Sequence, residues 1–236
     1  MSDRGIYGWK AGRPTMTDQN NTGNFNNDEN IHLIETNAKN TGGVPVTSSL
    51  IVEWDAGKEP SYSGSGTTWT DLSGNNNHAT LTNPNWNSSG YFNLATNFQV
   101  SKTGVLGSDR TVIYVMQTTD TQALFDSNGN TGGSHYLAAY RSGNKGYYSN
   151  VTAGAVYKNN STSNINNNLY DNIRTSGAIM ISFVNADFNW SGFGFNYYSS
   201  YQFDSGKLYA VLIYNRNLST SEIGQLYTYY NGRGIV

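Results

Sequence analysis

Short apolar runs, each bounded by glycine, asparagine or serine, set the strongest constraint on how this chain folds. They are rich in β-branched and aromatic residues and too short for ordinary helices, so each predicts a β-strand. Because glycine and asparagine favour tight turns, the pattern predicts an all-β fold of many short strands. The runs are Leu50–Trp54, Arg110–Gln117, Ala123–Asp126, Tyr136–Tyr140, Ala178–Val184 and Leu208–Tyr214. Arg110–Gln117 and Ala178–Val184 are apolar on both faces, which indicates central strands.

One helix is indicated close to the end of the chain. Ser219 and Glu222 have the spacing of a capping box, in which each side chain satisfies a free backbone N–H group of the other residue. The sequence predicts that this helix packs on a sheet and ends at Asn231–Gly232. The apolar residues that recur on one face of it are Ile223, Leu226, Tyr227 and Tyr230.

Charge and cysteine content exclude several classes of protein. Charged residues make up only 13% of the 236 residues, and the formal net charge is −2. No segment concentrates lysine or arginine, which argues against nucleic-acid binding. Without cysteine the chain has no disulfide framework and no cysteine nucleophile. We also expect no secretory signal and no membrane association, because no run approaches the ~20 apolar residues of a membrane span.

Residues 1–47 differ from the rest of the chain, because they are polar and contain one short apolar cluster. A segment of this composition does not bury enough surface to fold alone. Two interpretations are open: a mobile tail, or an extended arm that orders against another subunit or a partner. We favour the arm, with a sandwich domain over residues 48–236. The residues available for docking are Tyr7, Trp9, Ile31, Leu33 and Ile34.

Two segments resemble a known family. The stretch Asp55–Gly57 followed by Ser61–Leu81 is similar to the opening of laminin-G-like, concanavalin A-like domains, and Gly206–Ile223 is similar to their last strand and helix. Such domains are common in bacteriophage virion proteins and bacterial surface proteins. The resemblance implies a jelly-roll sandwich of two packed antiparallel sheets, and it fixes no ligand. Within the first stretch we expect Trp69 and Leu72 in the core.

The acidic residues and amides of these stretches have two interpretations. Asp71 and Asn75–Asn77 predict a turn held by side-chain-to-backbone hydrogen bonds, with a metal ligand at Asp71 as the alternative. Glu53, Asp55 and Glu59 resemble the acid-rich strand of laminarinase-like glycoside hydrolases, which need two carboxylates roughly 5 Å apart. Pro60 directly after Glu59 favours a turn instead. We therefore predict that the chain is not an enzyme.

Metal and cofactor chemistry has little support in the sequence. His32, His78 and His135 have no metal-ligand spacing, so structural or exposed roles are expected. The prediction is that no cofactor is bound. A structural calcium ion stays open as an alternative, since the loops offer oxygen ligands at Asp126, Asn128, Asp187 and Asp204.

Tyrosines in polar surroundings are the candidates for a ligand or subunit surface. Phe193–Tyr197 predicts a strand whose aromatic face fills the core. The remaining tyrosines have two open interpretations, a binding surface or ordinary edge packing, because exposed tyrosine gives a large contact area at low entropy cost. They are Tyr147, Tyr148, Tyr157, Tyr198 and Tyr201.

Together these features predict a non-enzymatic structural protein of a bacteriophage virion, either a capsid decoration protein or a tail or fibre component. The arm would contact other virion proteins, the protein would form a homo-oligomer, and the sandwich would bind cell-surface glycans. The expected location is the virion, after synthesis in the host cytoplasm. Two alternatives remain: a soluble lectin-like carbohydrate-binding module, and a laminarinase-type glycoside hydrolase.

Overall fold

The computed structural model describes most of the chain from Gly43 to Val236, which forms one compact unit. The described residues are 43–95, 97–104, 110–120, 123–126, 136–139, 146–149, 152–165, 169–187, 192–196 and 203–236. The residues predicted to form the arm's docking points lie outside these ranges. Val44 and Val46 are buried against the C-terminal helix. The predicted boundary at residues 47 and 48 stays a prediction.

The described residues form fourteen strands and two helices. The first strands are β1 (Leu50–Asp55), β2 (Thr68–Trp69), β3 (Ala79–Thr82), β4 (Trp86–Asn87), β5 (Tyr91–Asn93), β6 (Gln99–Thr103) and β7 (Arg110–Gln117). The later strands are β8 (Ala123–Asp126), β9 (Tyr136–Ala139), β10 (Gly146–Ser149), β11 (Thr152–Lys158), β12 (Ile179–Asp187), β13 (Gly192–Phe195) and β14 (Lys207–Tyr214). The helices are α1 (Leu169–Ile173) and α2 (Thr220–Gly232). For β8, β9 and β10 the structure describes the backbone only.

The strands form two antiparallel layers. The larger sheet has the order β11-β12-β7-β14-β5-β4, with β1 also paired to β14. The second layer contains the sheet β13-β6-β3-β2, and β8 of the sheet β10-β9-β8 lies beside β13. This arrangement confirms the predicted two-sheet sandwich. It also confirms the central position predicted for β7 and β12, whose apolar residues are buried on both faces.

An aromatic core fills the space between the two layers. Trp54 on β1 stacks on Trp69 with ring centroids 5.9 Å apart, and meets the edge of Phe193 at 5.2 Å. All three side chains are fully buried. Trp69 and Phe193 therefore confirm two core predictions, whereas Leu72 is only half-buried and stands outside this core. Leu72 instead donates its backbone N–H to the Glu53 carbonyl, because its turn runs along β1.

Helix α2 covers the opposite, outer face of the large sheet. Its apolar stripe of Ile223, Leu226 and Tyr230 is buried against residues of β7, β12 and β14. The capping box is present, with Ser219 and Glu222 bonded to each other as predicted. Arg216 forms a salt bridge with Glu222, and this hydrogen bond lowers the pKa of Glu222 to about 2. The predicted end is one residue early: Arg233 is the C-cap and Gly234 has the positive φ of +69°.

The loop after β2 seals the free edge of β1. The Asp71 carboxylate accepts hydrogen bonds from the backbone N–H groups of Glu53, Ser73 and Asn77 at 2.9 Å. The side chains of Asn75 and Asn77 donate to backbone carbonyls of β1. These bonds confirm the predicted side-chain-held turn. They also occupy backbone groups with which a further strand would otherwise pair.

None of the helices in the described ranges has the length and apolar character needed to cross a membrane.

Replacing Asp71 by alanine removes the acceptor that holds this loop. Three backbone N–H groups then lose their partner. That of Glu53 is buried, where an unsatisfied donor costs ~1–3 kcal/mol, and those of Ser73 and Asn77 are partly buried. We expect Asp71→Ala to lower the free energy of unfolding by about 3 kcal/mol in urea denaturation. Thr80→Ala, at an exposed position of β3, is the matched control and should change it by less than about 0.5 kcal/mol. Equal stability of the two variants would show that the loop does not depend on Asp71.

Candidate ligand-binding groove at the C-terminal helix

The acidic residues of β1 face the outer side of the large sheet. Trp54 between them points into the aromatic core, so alternation along the strand directs Glu53 and Asp55 away from it. Both carboxylates are buried, with exposed fractions of 4% and 1%. A buried carboxylate needs a counter-charge or several hydrogen bonds. Each of these two has a cation as its partner.

Lys58 is the partner of Glu53. The ammonium Nζ lies 2.5 Å from Glu53 Oε1, and both side chains are less than a tenth exposed. Burial, the largest single influence, lowers the pKa of Lys58, but the hydrogen bonds to Glu53 and Tyr229 and the attraction of Glu53 and Asp55 together outweigh it, so the pKa stands above its usual value. Lys58 reaches back to β1 because Asp55–Ser61 is a compact turn, in which Lys58 N–H donates to the Asp55 carbonyl.

Arg233 is the partner of Asp55. It comes from the C-cap of α2, and both of its terminal nitrogens donate to the Asp55 carboxylate, with Nη2 to Oδ1 at 3.1 Å. The side chain of Arg233 is 7% exposed. Burial opposes the charge of Arg233, but the hydrogen bonds to Asp55 raise its pKa above the usual value. This pair ties the end of α2 to the end of β1.

The acids of β1 therefore do not form the carboxylate pair of a retaining glycosidase. Glu53 and Asp55 are buried in ion pairs, and Glu59 lies exposed in the following turn. A nucleophile and an acid of that class must both face a bound sugar. The laminarinase-type alternative gains no support from these three residues.

An open groove of about 680 Å³ lies along the outward face of α2. The helix residues that line it recur at the spacing of one helix face, and residues of two other segments complete it. Gly224 has open space where a Cβ would stand, so the groove continues over the helix backbone. The lining residues are Pro45, Asn160, Ser221, Gly224, Gln225, Thr228 and Tyr229.

Tyr229, a half-buried ring, is fixed by the two cations of the ion pairs. Lys58 Nζ lies 5.4 Å from the ring centroid, and Arg233 Cζ lies at the same distance. Tyr230 meets the ring edge-on with centroids 5.1 Å apart. Contacts between cations and aromatic rings at this range are attractive. The acidic strand therefore acts through Lys58 and Arg233 to position one aromatic wall of the groove.

The groove offers hydrogen-bonding groups without formal charge. Asn160 and Gln225 each provide an amide donor and acceptor, and Ser221 and Thr228 provide hydroxyls. A volume of this size is in the range of small-molecule sites. The arrangement can hold a polar, uncharged ligand that has one apolar face for the Tyr229 ring.

The predicted tyrosine surface is described only in part. Tyr157 lies on β11, half-buried against the cluster beneath α2. Tyr147 and Tyr148 lie on β10, opposite Ala138 and Leu137 of β9, and their side chains are outside the description. Tyr198 and Tyr201 lie outside the described residues. The assignment of these tyrosines to a binding surface stays a prediction.

Sequence reasoning did not find the groove, because its lining comes from three distant segments. The one feature of the sequence that could have indicated the groove is the face of α2 opposite its apolar stripe, where Gly224 lies among polar residues.

Metal ligands do not cluster in the described part of the chain, where no group of three histidine, cysteine or acidic residues is placed to hold an ion. His78 Nδ1 accepts a hydrogen bond from the Asp71 N–H at 3.1 Å. Asp204 lies beside Asp120, and the hydrogen bond between their side chains raises the pKa of Asp204. Among the other candidate calcium ligands, Asn128 and the side chains of Asp126 and Asp187 are not described.

Comparison with known proteins gives distant structural likenesses only. No family model matches the chain, and no curated protein does. Trypanosoma rangeli sialidase in complex with the inhibitor DANA matches with a TM-score of 0.47 and 13% identity, over 79% of this chain and 33% of the sialidase. The binding domain of Paraclostridial Mosquitocidal Protein 1 matches with a TM-score of 0.48 and 14% identity, over 78% and 53% of the chains. The receptor binding domain of botulinum neurotoxin C/D mosaic serotype gives 0.42 and 13%, over 78% and 52%.

These matches bear on two predictions. The chain spans about a third of the length of the sialidase, and likenesses this distant transfer neither a ligand nor an activity. Sialidases are enzymes, and they stand among the similar structures. This finding contradicts the prediction that the chain is not an enzyme. We withdraw that prediction. The phage-specific part of the family resemblance has no counterpart among these structures.

Removing one partner of the Asp55–Arg233 pair should destabilise the fold strongly. Asp55→Asn leaves the Arg233 cation buried without a counter-charge, which costs about 3–5 kcal/mol. The double variant Asp55→Asn with Arg233→Met should recover much of that loss, because no buried charge is left. Urea unfolding of both single variants and the double variant measures the coupling energy.

Arg216→Met is the matched control, since it breaks the half-exposed pair with Glu222. It should cost no more than about 1 kcal/mol. If Asp55→Asn also lowers the free energy of unfolding by no more than about 1 kcal/mol, Asp55 and Arg233 do not form a buried pair in solution.

Proposed function

We propose that the sandwich is a carbohydrate-binding domain that takes a neutral saccharide unit in the groove along α2. The observation that carries the proposal is the lining of the groove: one fixed tyrosine ring, two amides, two hydroxyls and no charged side chain. A sugar ring has an apolar face and an edge of hydroxyl groups. The groove presents a complementary partner to each.

The aromatic wall supports stacking of a sugar ring. Tyr229 is held by Lys58, Arg233 and Tyr230, so little side-chain entropy remains to be lost when a ligand binds. Asn160 and Gln225 line the same groove and can exchange hydrogen bonds with hydroxyl groups in both directions. The exposed position of these polar groups supports exchange of bound water for ligand at low cost.

One shallow groove supports weak binding, so we further propose that several copies act together. Linked copies raise the overall avidity without new contacts. Residues 1–47 would hold the copies, as an arm that joins the chain to its own kind and to other proteins of a bacteriophage virion. This part of the proposal is supported by the laminin-G-like segments and by the apolar residues of the arm. The location proposed is the virion surface, after synthesis in the host cytoplasm.

Filling the groove without harming the helix tests the binding site. Gly224→Leu adds a side chain in open space, and leucine at a helix position is more stable than glycine by about 0.8 kcal/mol. We expect this variant to unfold at equal or higher urea concentration and to lose at least about tenfold in affinity, or 1.4 kcal/mol. Binding is measured by titration calorimetry with the best neutral oligosaccharide found on a glycan array.

Asn231→Leu is the control for this experiment. It adds the same side chain to an exposed position of α2 that does not line the groove. Its affinity should equal that of the wild type. The proposal is overturned if Gly224→Leu also retains full affinity, or if the wild type binds no neutral oligosaccharide on the array.

Deletion of residues 1–42 tests the role of the arm. The deletion leaves the buried Val44 and Val46 in place, so the sandwich should keep its stability. We expect the full chain to sediment as a homo-oligomer and the shortened chain as a monomer. In particles made with the shortened gene, quantitative mass spectrometry should find the protein reduced at least about tenfold, because the avidity of linked copies is lost. Undiminished incorporation, or absence of the wild-type protein from particles, contradicts this part of the proposal.

A further inference from the structure

A second aromatic surface lies on the same outer face, where β5 meets β14. Tyr91 and Tyr209 are half-buried, with ring centroids 5.4 Å apart and planes inclined by 58°. Lys207 Nζ stands 4.7 Å from the centroid of Tyr91. Asn93 lies opposite Lys207 across the two strands. We call these four residues the tyrosine–lysine patch.

Lys207 is a cation without a carboxylate partner in the part of the chain that the structure describes. The ion pairs there are Glu53–Lys58, Arg216–Glu222 and Asp55–Arg233. In a chain with only 13% charged residues, a cation that has no carboxylate partner there and lies over the Tyr91 ring is a distinct chemical feature. Its charge remains available to an anion from solution.

The backbone beneath the patch is held firmly. Gly206, directly before Lys207, has φ of +128°, and a Cβ there would meet the Gln117 carbonyl oxygen at 2.0 Å. Tyr209 lies at the irregularity between Leu208 and Ala210, and its carbonyl accepts a hydrogen bond from Ala56 N–H at 2.8 Å. The rings and the ammonium therefore project from fixed points.

The patch lies close to Arg233, which contacts the Tyr229 ring at one end of the groove. A Cβ on Gly57 would meet Arg233 Nη2 at 3.0 Å and the Cα of Gly90, the residue before Tyr91, at 3.6 Å. Ala56 follows Asp55, the partner of Arg233, and Arg233 contacts the ring of Tyr229. Tyr209 and Tyr229 both pack against the apolar cluster beneath α2. A chain of linked sugars can thus extend from the groove towards Lys207.

We infer that the tyrosine–lysine patch binds an acidic sugar unit of the glycan whose neutral unit occupies the groove. The sugar ring packs in the angle between Tyr91 and Tyr209, and its carboxylate or sulfate pairs with Lys207. The Asn93 Oδ1 accepts a hydrogen bond from a sugar hydroxyl, since Asn93 Nδ2 already donates to Asn85. This inference rests on the proposed carbohydrate binding and narrows its ligand to acidic glycans. Coulomb attraction supplies the preference for the anion, and salt weakens it.

The test uses two oligosaccharides that differ only in charge. One contains hexuronate units, and the other is the same oligosaccharide with each carboxylate reduced to a hydroxymethyl group. We expect the wild type to bind the hexuronate form about fivefold more tightly, the size of one partly exposed ion pair. Lys207→Gln should bind both forms with the affinity that the wild type has for the reduced form. A third oligosaccharide carrying sulfate in place of carboxylate shows which anion is preferred.

Lys102→Gln is the matched control, because it removes an equal charge from β6 in the other layer. It should keep the fivefold preference, as expected for charge acting locally. This inference is overturned if the wild type binds the two forms equally, or if Lys207→Gln keeps the preference for the hexuronate form. In either case, tight binding of the reduced form leaves the proposed function standing. Failure of both forms to bind overturns the proposed function and this inference together.

Discussion

The structure depends on two buried ion pairs that join β1 to its surroundings on the outer face of the large sheet. Glu53 holds Lys58, and Asp55 holds Arg233 from the far end of α2. Burying charges costs hydration, so such pairs specify an arrangement more than they stabilise it. Here the arrangement is the position of α2. If Arg233 lost Asp55, the helix would keep its apolar stripe but lose the contact that fixes its last turn and the Tyr229 ring.

The loop that contains Asp71 stabilises the edge of the same strand. It satisfies backbone groups of β1 that pair with no strand of the described residues, and it carries Trp69 into the aromatic core. β1 is therefore held by β14 on one side, by polar side chains on the other, by Trp54 within the sandwich and by ion pairs outside it. That rigidity makes the outer face a stable support for a groove and a patch built from small numbers of exposed groups.

Much of the fold was predictable because its signals are local. Apolar residues on both faces identified β7 and β12, and the capping box located the start of α2. The pattern failed where the decisive contacts are distant in sequence. In the sequence, Glu53 and Asp55 resemble the acidic residues of a catalytic strand. In the structure, Arg233, which lies 178 residues away from Asp55, neutralises the Asp55 carboxylate. The groove joins Pro45, Asn160 and α2, and no pattern within any one of them indicates the others. The strands β2 to β6, β10 and β11 were not predicted; β11, for example, has no apolar run because it contains Gly154 and two alanines.

A crystal structure of the protein with a bound oligosaccharide would show whether the groove binds sugar while the two ion pairs stay intact. We expect a sugar ring in van der Waals contact with Tyr229, with Glu53 still bonded to Lys58 and Asp55 still bonded to Arg233. A sugar that reaches Glu53 or Asp55 and separates either pair would contradict this expectation, because those carboxylates would then serve the ligand and not the position of the helix.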